Sequence, residues 1–267
     1  MSAQGANGID RRELQLLIVH VLHRDYAWII AHPDHQLTAS QKRRLCVLVK
    51  RRIEGEPIAY LTGEKESYGH TFSVGNGVLV PRPESEHLVD EVLRIVPDGS
   101  NGTIVDVGTG SGCLAVSVAL ARPHSHICAT DRSPVALTYA RRNARRHGVS
   151  RRITFLNGDL LAPILQRRIT PSCIMANLPY ATPREYRAVR SEPRAAIVGG
   201  RDGMTAYRRL FAQLKRSGTK VPVVIEIDPR RLITTNKVIR SAFPHAVITM
   251  HKDLAGFPRV LSVIPTR

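Results

Sequence analysis

Thr103-Ile-Val-Asp-Val107 runs directly into Gly108-Thr-Gly-Ser-Gly112 and then into Cys113-Leu-Ala115, and this stretch decides the fold. A short β-branched run, a turn of small residues and an apolar helical start form the strand-turn-helix of an α/β unit, with backbone bare enough for a ligand to approach. Tight strand-to-helix packing alone would use the same glycines. The turn lacks the Gly-Lys-Ser/Thr of a phosphate-binding loop, and Asp106 sets negative charge beside it. A triphosphate is thereby disfavoured, and a nucleotide-like ligand without that charge is expected at the strand's carboxyl end.

Working outward, short apolar runs alternate with helical patterns, giving strands near 103–107, 126–130, 152–156, 172–176, 221–227, 245–250 and 259–264. That rhythm predicts an open α/β sheet of seven strands, mostly parallel because the crossovers are long enough for helices. Only the 252–258 loop separates the last two, so they form an antiparallel hairpin. Upstream, Leu14, Leu17, Ile18, Val21 and Leu22 recur at helical spacing behind Asp10 and Glu13, which stand as a capping pair. Residues 27–31 and 39–53 also read as helices, so a small N-terminal helical bundle is expected over 1–65. Gly69, Gly75 and Gly77 break β-like runs ahead of Pro81-Arg82-Pro83, which predicts a β-hairpin linker over 66–83 and a main domain over 84–267.

Composition narrows the class. The chain has 267 residues, 43% hydrophobic and 23% charged, enough for a sizeable core and unlike a disordered or fibrous chain. Its 39 Lys+Arg against 22 Asp+Glu leave a net charge of +17, which favours contact with polyanions and points to ribosome or RNA proximity through a basic surface. The basic residues come as doublets and triplets without interleaved aromatic stacking platforms, so a solvated basic surface explains them as well. Cys46, Cys113, Cys128 and Cys173 are far apart within apolar segments, which suits buried thiols in a reducing compartment. No apolar run reaches the length of a membrane span and no signal peptide opens the chain, so a cytoplasmic monomer with no membrane partner is expected. His20, His23, His32 and His35 lack a convincing third ligand, and no metal site is expected.

The later strand ends carry the chemistry. Ala129-Thr-Asp131 puts a carboxylate where it can accept from both hydroxyls of a ribose, or else cap the helix starting near Ser133 or Pro134. The next two strands end in Asn157-Gly-Asp159-Leu160 and Met175-Ala-Asn177-Leu178-Pro179-Tyr180. This ordered set resembles a class I S-adenosyl-L-methionine-dependent methyltransferase, an α/β fold with a Rossmann-like sheet. The resemblance implies that Asp106, Gly108, Thr109, Gly110, Ser111 and Gly112 form the turn against the methionine part of the cofactor. It also implies that Asp131 holds the ribose, that Asp159 and Leu160 border the adenine, and that Asn177 stands where cofactor and acceptor meet.

An amide or exocyclic amine nitrogen is a poor nucleophile, because its lone pair is delocalised, so orientation must supply much of the rate. The Asn177 side-chain oxygen and the Leu178 carbonyl can both accept from an NH₂ group, and Tyr180, after Pro179, can stack on a planar acceptor. A strand-to-loop exit uses the same turn-forming Asn and Pro.

Further motifs choose the acceptor. Gly55-Glu-Pro-Ile-Ala-Tyr-Leu-Thr-Gly-Glu64, Val80-Pro-Arg-Pro-Glu-Ser-Glu86, Ser191-Glu-Pro-Arg-Ala195, Gly199-Gly-Arg-Asp-Gly203 and Lys252-Asp-Leu-Ala-Gly256 closely resemble the HemK/PrmC family. These are peptide chain release factor glutamine methyltransferases. The resemblance implies N5-methylation of the glutamine in the Gly-Gly-Gln motif of class 1 release factors, with the N-terminal domain docking the factor and Asn177, Leu178, Pro179 and Tyr180 as the catalytic set. Two departures stand out. The family usually reads Asn-Pro-Pro-Tyr, whereas Leu178 replaces the first proline here, a form shared with RNA adenine-N6 methyltransferases. Glu226-Ile-Asp228-Pro229 stands where the family commonly has Glu-Ile-Gly. The competing expectation, motivated by Leu178 and the +17 charge, is an RNA adenine-N6 methyltransferase or a divergent RNA-binding methyltransferase fold.

Overall fold

In the computed structural model, which describes residues 8–187 and 191–266, the chain divides into two units. The first runs to Glu64 and takes in Val74–Asn76; residues 1–7 of the expected N-terminal domain lie outside the described residues. It holds α1 (Arg11–Leu22), α2 (Tyr26–Ala31), α3 (Ala39–Ile53) and α4 (Ile58–Thr62), whose inward residues Leu17, Val21, Leu48 and Leu61 bury one cluster with Ile9. Asp10 caps α1 by accepting from the Arg12 N–H, and Thr38 with Gln41 forms a capping box on α3. Glu13 does not complete a cap as expected. Its side chain reaches α3 and accepts from Arg52 at 2.7 and 2.9 Å, because a bidentate guanidinium partner outweighs one backbone amide.

The second unit comprises residues 65–73 and everything from Gly77 onward. It opens with the hairpin of β1 (Glu64–Ser67) and β2 (His70–Ser73). Phe72 is fully buried among Leu88, Val89 and Val116, so the hairpin expected as a linker packs into this unit's core. The chain continues through α5 (Glu86–Ile95), β3 (Thr103–Val107), α6 (Cys113–Ala121), β4 (His126–Asp131), α7 (Pro134–Arg146), β5 (Ile153–Asn157), α8 (Ala162–Gln166) and β6 (Pro171–Ala176). Then follow α9 (Pro183–Tyr186), α10 (Arg194–Ile197), α11 (Thr205–Ser217), β7 (Val223–Glu226), α12 (Leu232–Ala242), β8 (Val247–Lys252) and β9 (Pro258–Ile264).

The seven strands β3 to β9 form one sheet in the order β5-β4-β3-β6-β7-β9-β8. The first five in chain order are parallel, and β9 runs antiparallel between β7 and β8. Helices cover both faces, which is why the strands read as continuous apolar runs. Successive residues of β3 feed opposite cores: Ile104 joins Leu88, Val116 and Ile127, while Val105 joins Tyr207, Leu210 and Phe211. From β3 the chain winds out through β4 and β5, then returns to place β6 on the other side of β3. A crevice must open beyond the carboxyl ends at that reversal.

Three of the four cysteines are buried as expected, but Cys46 is exposed on the polar side of α3. Its neighbours Lys42, Arg43 and Lys50 mark that side as solvated. The His32 ring stacks on Trp28 at 4.3 Å and His35 meets the same indole edge-on at 5.0 Å. Among the described residues no cluster of three potential metal ligands occurs, and no helix is long and apolar enough to cross a membrane.

Candidate active site

The crevice at the β3/β6 reversal is lined by Gly108 and Gly110 after β3, Asp131 after β4, Gly158 to Leu160 after β5, and Asn177 to Pro179 after β6. Residues Gly77 to Leu79, Pro193, Ala195 and Ala196 wall its open side. Four strand ends thus converge where the sheet order requires.

The glycine turn splits into two roles. Gly110 has a φ of +56°, and a Cβ there would meet nothing within 4 Å, so its backbone faces open space. Gly112, with a φ of +81°, faces protein instead: a Cβ would lie 2.9 Å from Ala140 on α7. Ser111 is buried, its carbonyl accepting from the Asn143 amide at 2.8 Å, and the same amide group donates to Ser73 O. Thr109 is buried and donates to Asp106 Oδ2 at 2.6 Å. Asp106, Thr109, Ser111 and Gly112 were expected against a cofactor, yet none of the four lines the crevice. The turn curls away from the ligand side to dock α6 on α7, so these residues hold the turn's shape from behind.

Asp106 is fully buried, and burial, with the nearby Asp131 charge adding, pushes its carboxyl up to about 7. Its Oδ1 has no partner among the described residues. Asp131 accepts from the Gly110 N–H at 2.9 Å and the Ser133 N–H at 2.8 Å, while Ser133 itself caps α7. The carboxylate therefore ties the turn to the helix start and still lines the crevice, so the capping and ligand-facing readings coexist. Burial raises the pKa of Asp131, and the two amide donors oppose that shift. Asp159 also lines the crevice, but its Oδ2 is engaged by Arg209 at 2.5 Å and Gln213 at 3.1 Å, both from α11. Leu160, at a φ of +51°, follows it into the wall.

The acceptor end is built around a residue outside the expected set. Glu226 closes β7, is fully buried, and accepts from Ser85 Oγ at 2.6 Å and Asn177 Nδ2 at 2.8 Å on one oxygen. Its other oxygen accepts from Tyr180 Oη at 3.3 Å. Asn177 Nδ2 also donates to Ser85 Oγ at 2.9 Å. Both amide hydrogens are thus spent, and Oδ1 is the polar end left for the crevice. Burial pushes the Glu226 carboxyl up to about 7, opposed by the Ser85 hydroxyl. Tyr180 does not line the crevice as a stacking surface. Its hydroxyl points at Glu226, and its ring packs on the second core cluster.

Leu178 is buried, with its side chain over the glycine turn, 3.1 Å from where a Cβ on Gly108 would stand. Its carbonyl lies 3.3 Å from the Tyr207 hydroxyl, which donates more closely to Glu226 O at 2.7 Å. Side-chain burial thereby restrains a position where a proline ring would fix φ. The loop after β6 is laced to the second glycine motif: Ala181 N donates to Ile197 O and Gly199 N to Ala181 O, each at 2.9 Å. A Cβ on Gly199 would fall 2.2 Å from Pro179 O, and one on Gly203 2.0 Å from Tyr180 O. Only glycine permits that approach. Arg82 does not enter the crevice. It pairs with buried Glu192, which also accepts from Val80 N at 2.8 Å and so joins two motifs of the crevice rim.

Residues 3–63 match the family described as PrmC N-terminal domain, and residues 98–174 match a methyltransferase domain family. A release factor glutamine methyltransferase of Coxiella burnetii is 35% identical, the match covering 94% of this chain and 90% of that protein. One from Moorella thermoacetica is 38% identical over 84% of this chain and 81% of its own length. The fold is shared with the crystal structure of a ribosomal protein L11 methylase from Lactobacillus delbrueckii subsp. bulgaricus, at 21% identity and a TM-score of 0.52, covering 73% of this chain and 84% of that one.

Proposed function

This chain belongs to the release factor glutamine methyltransferase family, and from that premise we propose that it methylates the side-chain amide nitrogen (N5) of the glutamine in the Gly-Gly-Gln motif of class 1 peptide chain release factors. The methyl donor is S-adenosyl-L-methionine, whose sulfonium supplies an electrophilic methyl group. The residues present suit it: Gly110 offers open backbone and Asp131 offers carboxylate lone pairs to hydroxyls. Asp159 and Leu160 would border the adenine.

The observation that carries the reading is the polarity of Asn177. With Nδ2 donating to Glu226 and Ser85, Oδ1 is presented as an acceptor, which is what a primary amide of a substrate needs. Asn177 Oδ1 and the Leu178 carbonyl accept the two N–H groups, which fixes the amide plane and aims the nitrogen lone pair out of it. The apolar wall of Leu178, Pro179, Ala195 and Ala196 excludes water that would compete for those acceptors. The N-terminal helical unit docks the release factor, and the second unit carries the chemistry. The enzyme works as a monomer in the cytoplasm, and its +17 charge supports proximity to ribosomal RNA.

The test is transfer of labelled methyl to a purified class 1 release factor, with peptide mass spectrometry and an RNA substrate run beside it. Label on the Gly-Gly-Gln glutamine is expected. Label confined to RNA adenine would overturn the acceptor assignment and favour the reading that Leu178 and the charge first suggested.

A further inference from the structure

We propose that Glu226 and Ser85 are the positioning pair that decides which end of the Asn177 amide faces the crevice, an inference that rests on the acceptor role proposed for Asn177. An asparagine amide has two ends of nearly equal shape, and only its surroundings select one. A carboxylate can only accept. Glu226 Oε2 therefore accepts a hydrogen bond from the Ser85 hydroxyl at 2.6 Å, which leaves the Ser85 Oγ lone pairs as an acceptor. Both acceptors then face the same end of Asn177, at 2.8 and 2.9 Å, and that end must be the NH₂. Reversing the amide would set its oxygen against a buried carboxylate and a hydroxyl oxygen whose proton is already committed. The polarity runs one way from Glu226 through Ser85 to Asn177.

This assigns a use to Ser85, the serine of the Val80-Pro-Arg-Pro-Glu-Ser-Glu86 motif, and to the carboxylate that ends β7. The arrangement holds while Glu226 is charged. The other groups around it are Glu84 beside Ser85, Tyr180 after β6, Tyr207 on α11, Asp228 two residues on, and Arg259 on β9, the cation that favours the charged form. Burial pushes its carboxyl up to about 7, and a proton taken up on Oε2 in the neutral range puts a donor where Asn177 needs an acceptor.

Four variants and two readouts test the pair. In methyl transfer, Ser85→Ala should lower kcat about tenfold and Glu226→Leu about a hundredfold, with KM for either substrate changed less than about twofold. Glu226→Gln, which can offer its amide oxygen in place of Oε2, should retain activity within about tenfold and lack the acid limb expected of the wild type near pH 7. Burial also holds the Asp106 carboxyl at about 7, so the comparison of wild type with Glu226→Gln carries the result. Nitrogen-15 spectra read the same geometry without substrate: the Asn177 NH₂ pair, identified by its loss in Asn177→Asp, should exchange slowly and titrate near pH 7 in the wild type but not in Glu226→Gln. A wild-type acid limb and an unchanged titration in Glu226→Gln, or a rapidly exchanging Asn177 pair, would overturn the proposal. If the wild type transfers no methyl to the release factor, the functional reading fails, and the NMR measurement still decides the positioning pair.

Discussion

Asn177→Asp keeps the shape of the side chain and replaces its NH₂ with a carboxylate oxygen 2.8 Å from Glu226 Oε2. Two ionised carboxylates at that distance repel by about 6 kcal/mol at an effective dielectric constant of about 20. Holding a proton on the new group at pH 7, about three units above the ordinary aspartate value, costs only about 4 kcal/mol. The pair therefore keeps a proton that the unfolded chain has released. The folded-state pKa is raised, so the stability is fully present below the unfolded value near 4 and is lost as pH rises toward the raised value. Burial already holds a proton on Glu226 up to about 7 in the wild type, so below pH 7 the two proteins respond alike to pH, and above it the variant should lose about 1.4 kcal/mol relative to wild type for each pH unit. Between pH 7 and pH 8 the difference reaches about 1.4 kcal/mol. Urea unfolding midpoints of wild type and variant at pH 5, 6, 7 and 8 read it directly. Curves that stay parallel between pH 7 and pH 8 would refute the buried contact between Asn177 and Glu226.

Asn177→Ala removes the acceptor oxygen and should reduce methyl transfer about a hundredfold to a thousandfold while S-adenosyl-L-methionine affinity, measured by calorimetry, stays within about twofold. Asp131→Ala frees the Gly110 and Ser133 amides and should weaken cofactor binding at least about tenfold; an unchanged Kd would remove Asp131 from the cofactor site. Gly203→Ala sets a Cβ 2.0 Å from Tyr180 O at a φ of +80°, and should cost about 2–4 kcal/mol in urea unfolding and depress transfer by shifting the acceptor loop. Wild-type stability should fall as pH rises from about 5 through 7, because burial holds Asp106 and Glu226 at about 7 and both must release protons in the folded protein. Glu226→Gln should shrink that fall.

Much of the fold was legible because its signals are local. Strands such as 103–107 and 126–130 are short β-branched or apolar runs closed by Gly, Asp or Asn, and α3 begins at Thr38 with Gln41 as a capping box three residues on. The candidate ligands at strand ends, Asp131 and Asn177, were legible for the same reason. The division of labour within the glycine turn was not: Gly110 and Gly112 look alike in sequence, and only the approach of Ala140 from α7 separates the open one from the packed one. Glu226 had a visible signal, a carboxylate ending the apolar run Val223-Val-Ile225, yet its motif was legible only as a departure from the family pattern. Ser85 had none, since it meets Glu226 across 141 positions of chain.

The sequence by itself determined the elements, their parallel order of α/β units, the family and the strand ends at which chemistry must sit, because periodicity, turn residues and motif spacing are written within a few residues of one another. Tertiary structure alone decided the direction of the Asn177 amide and the partners of Asp159. Hydrogen-bond polarity is set by whichever groups the fold brings together, and the adjacency of β6 and β7, with α11 packed beside the end of β5, joins residues that no local pattern relates.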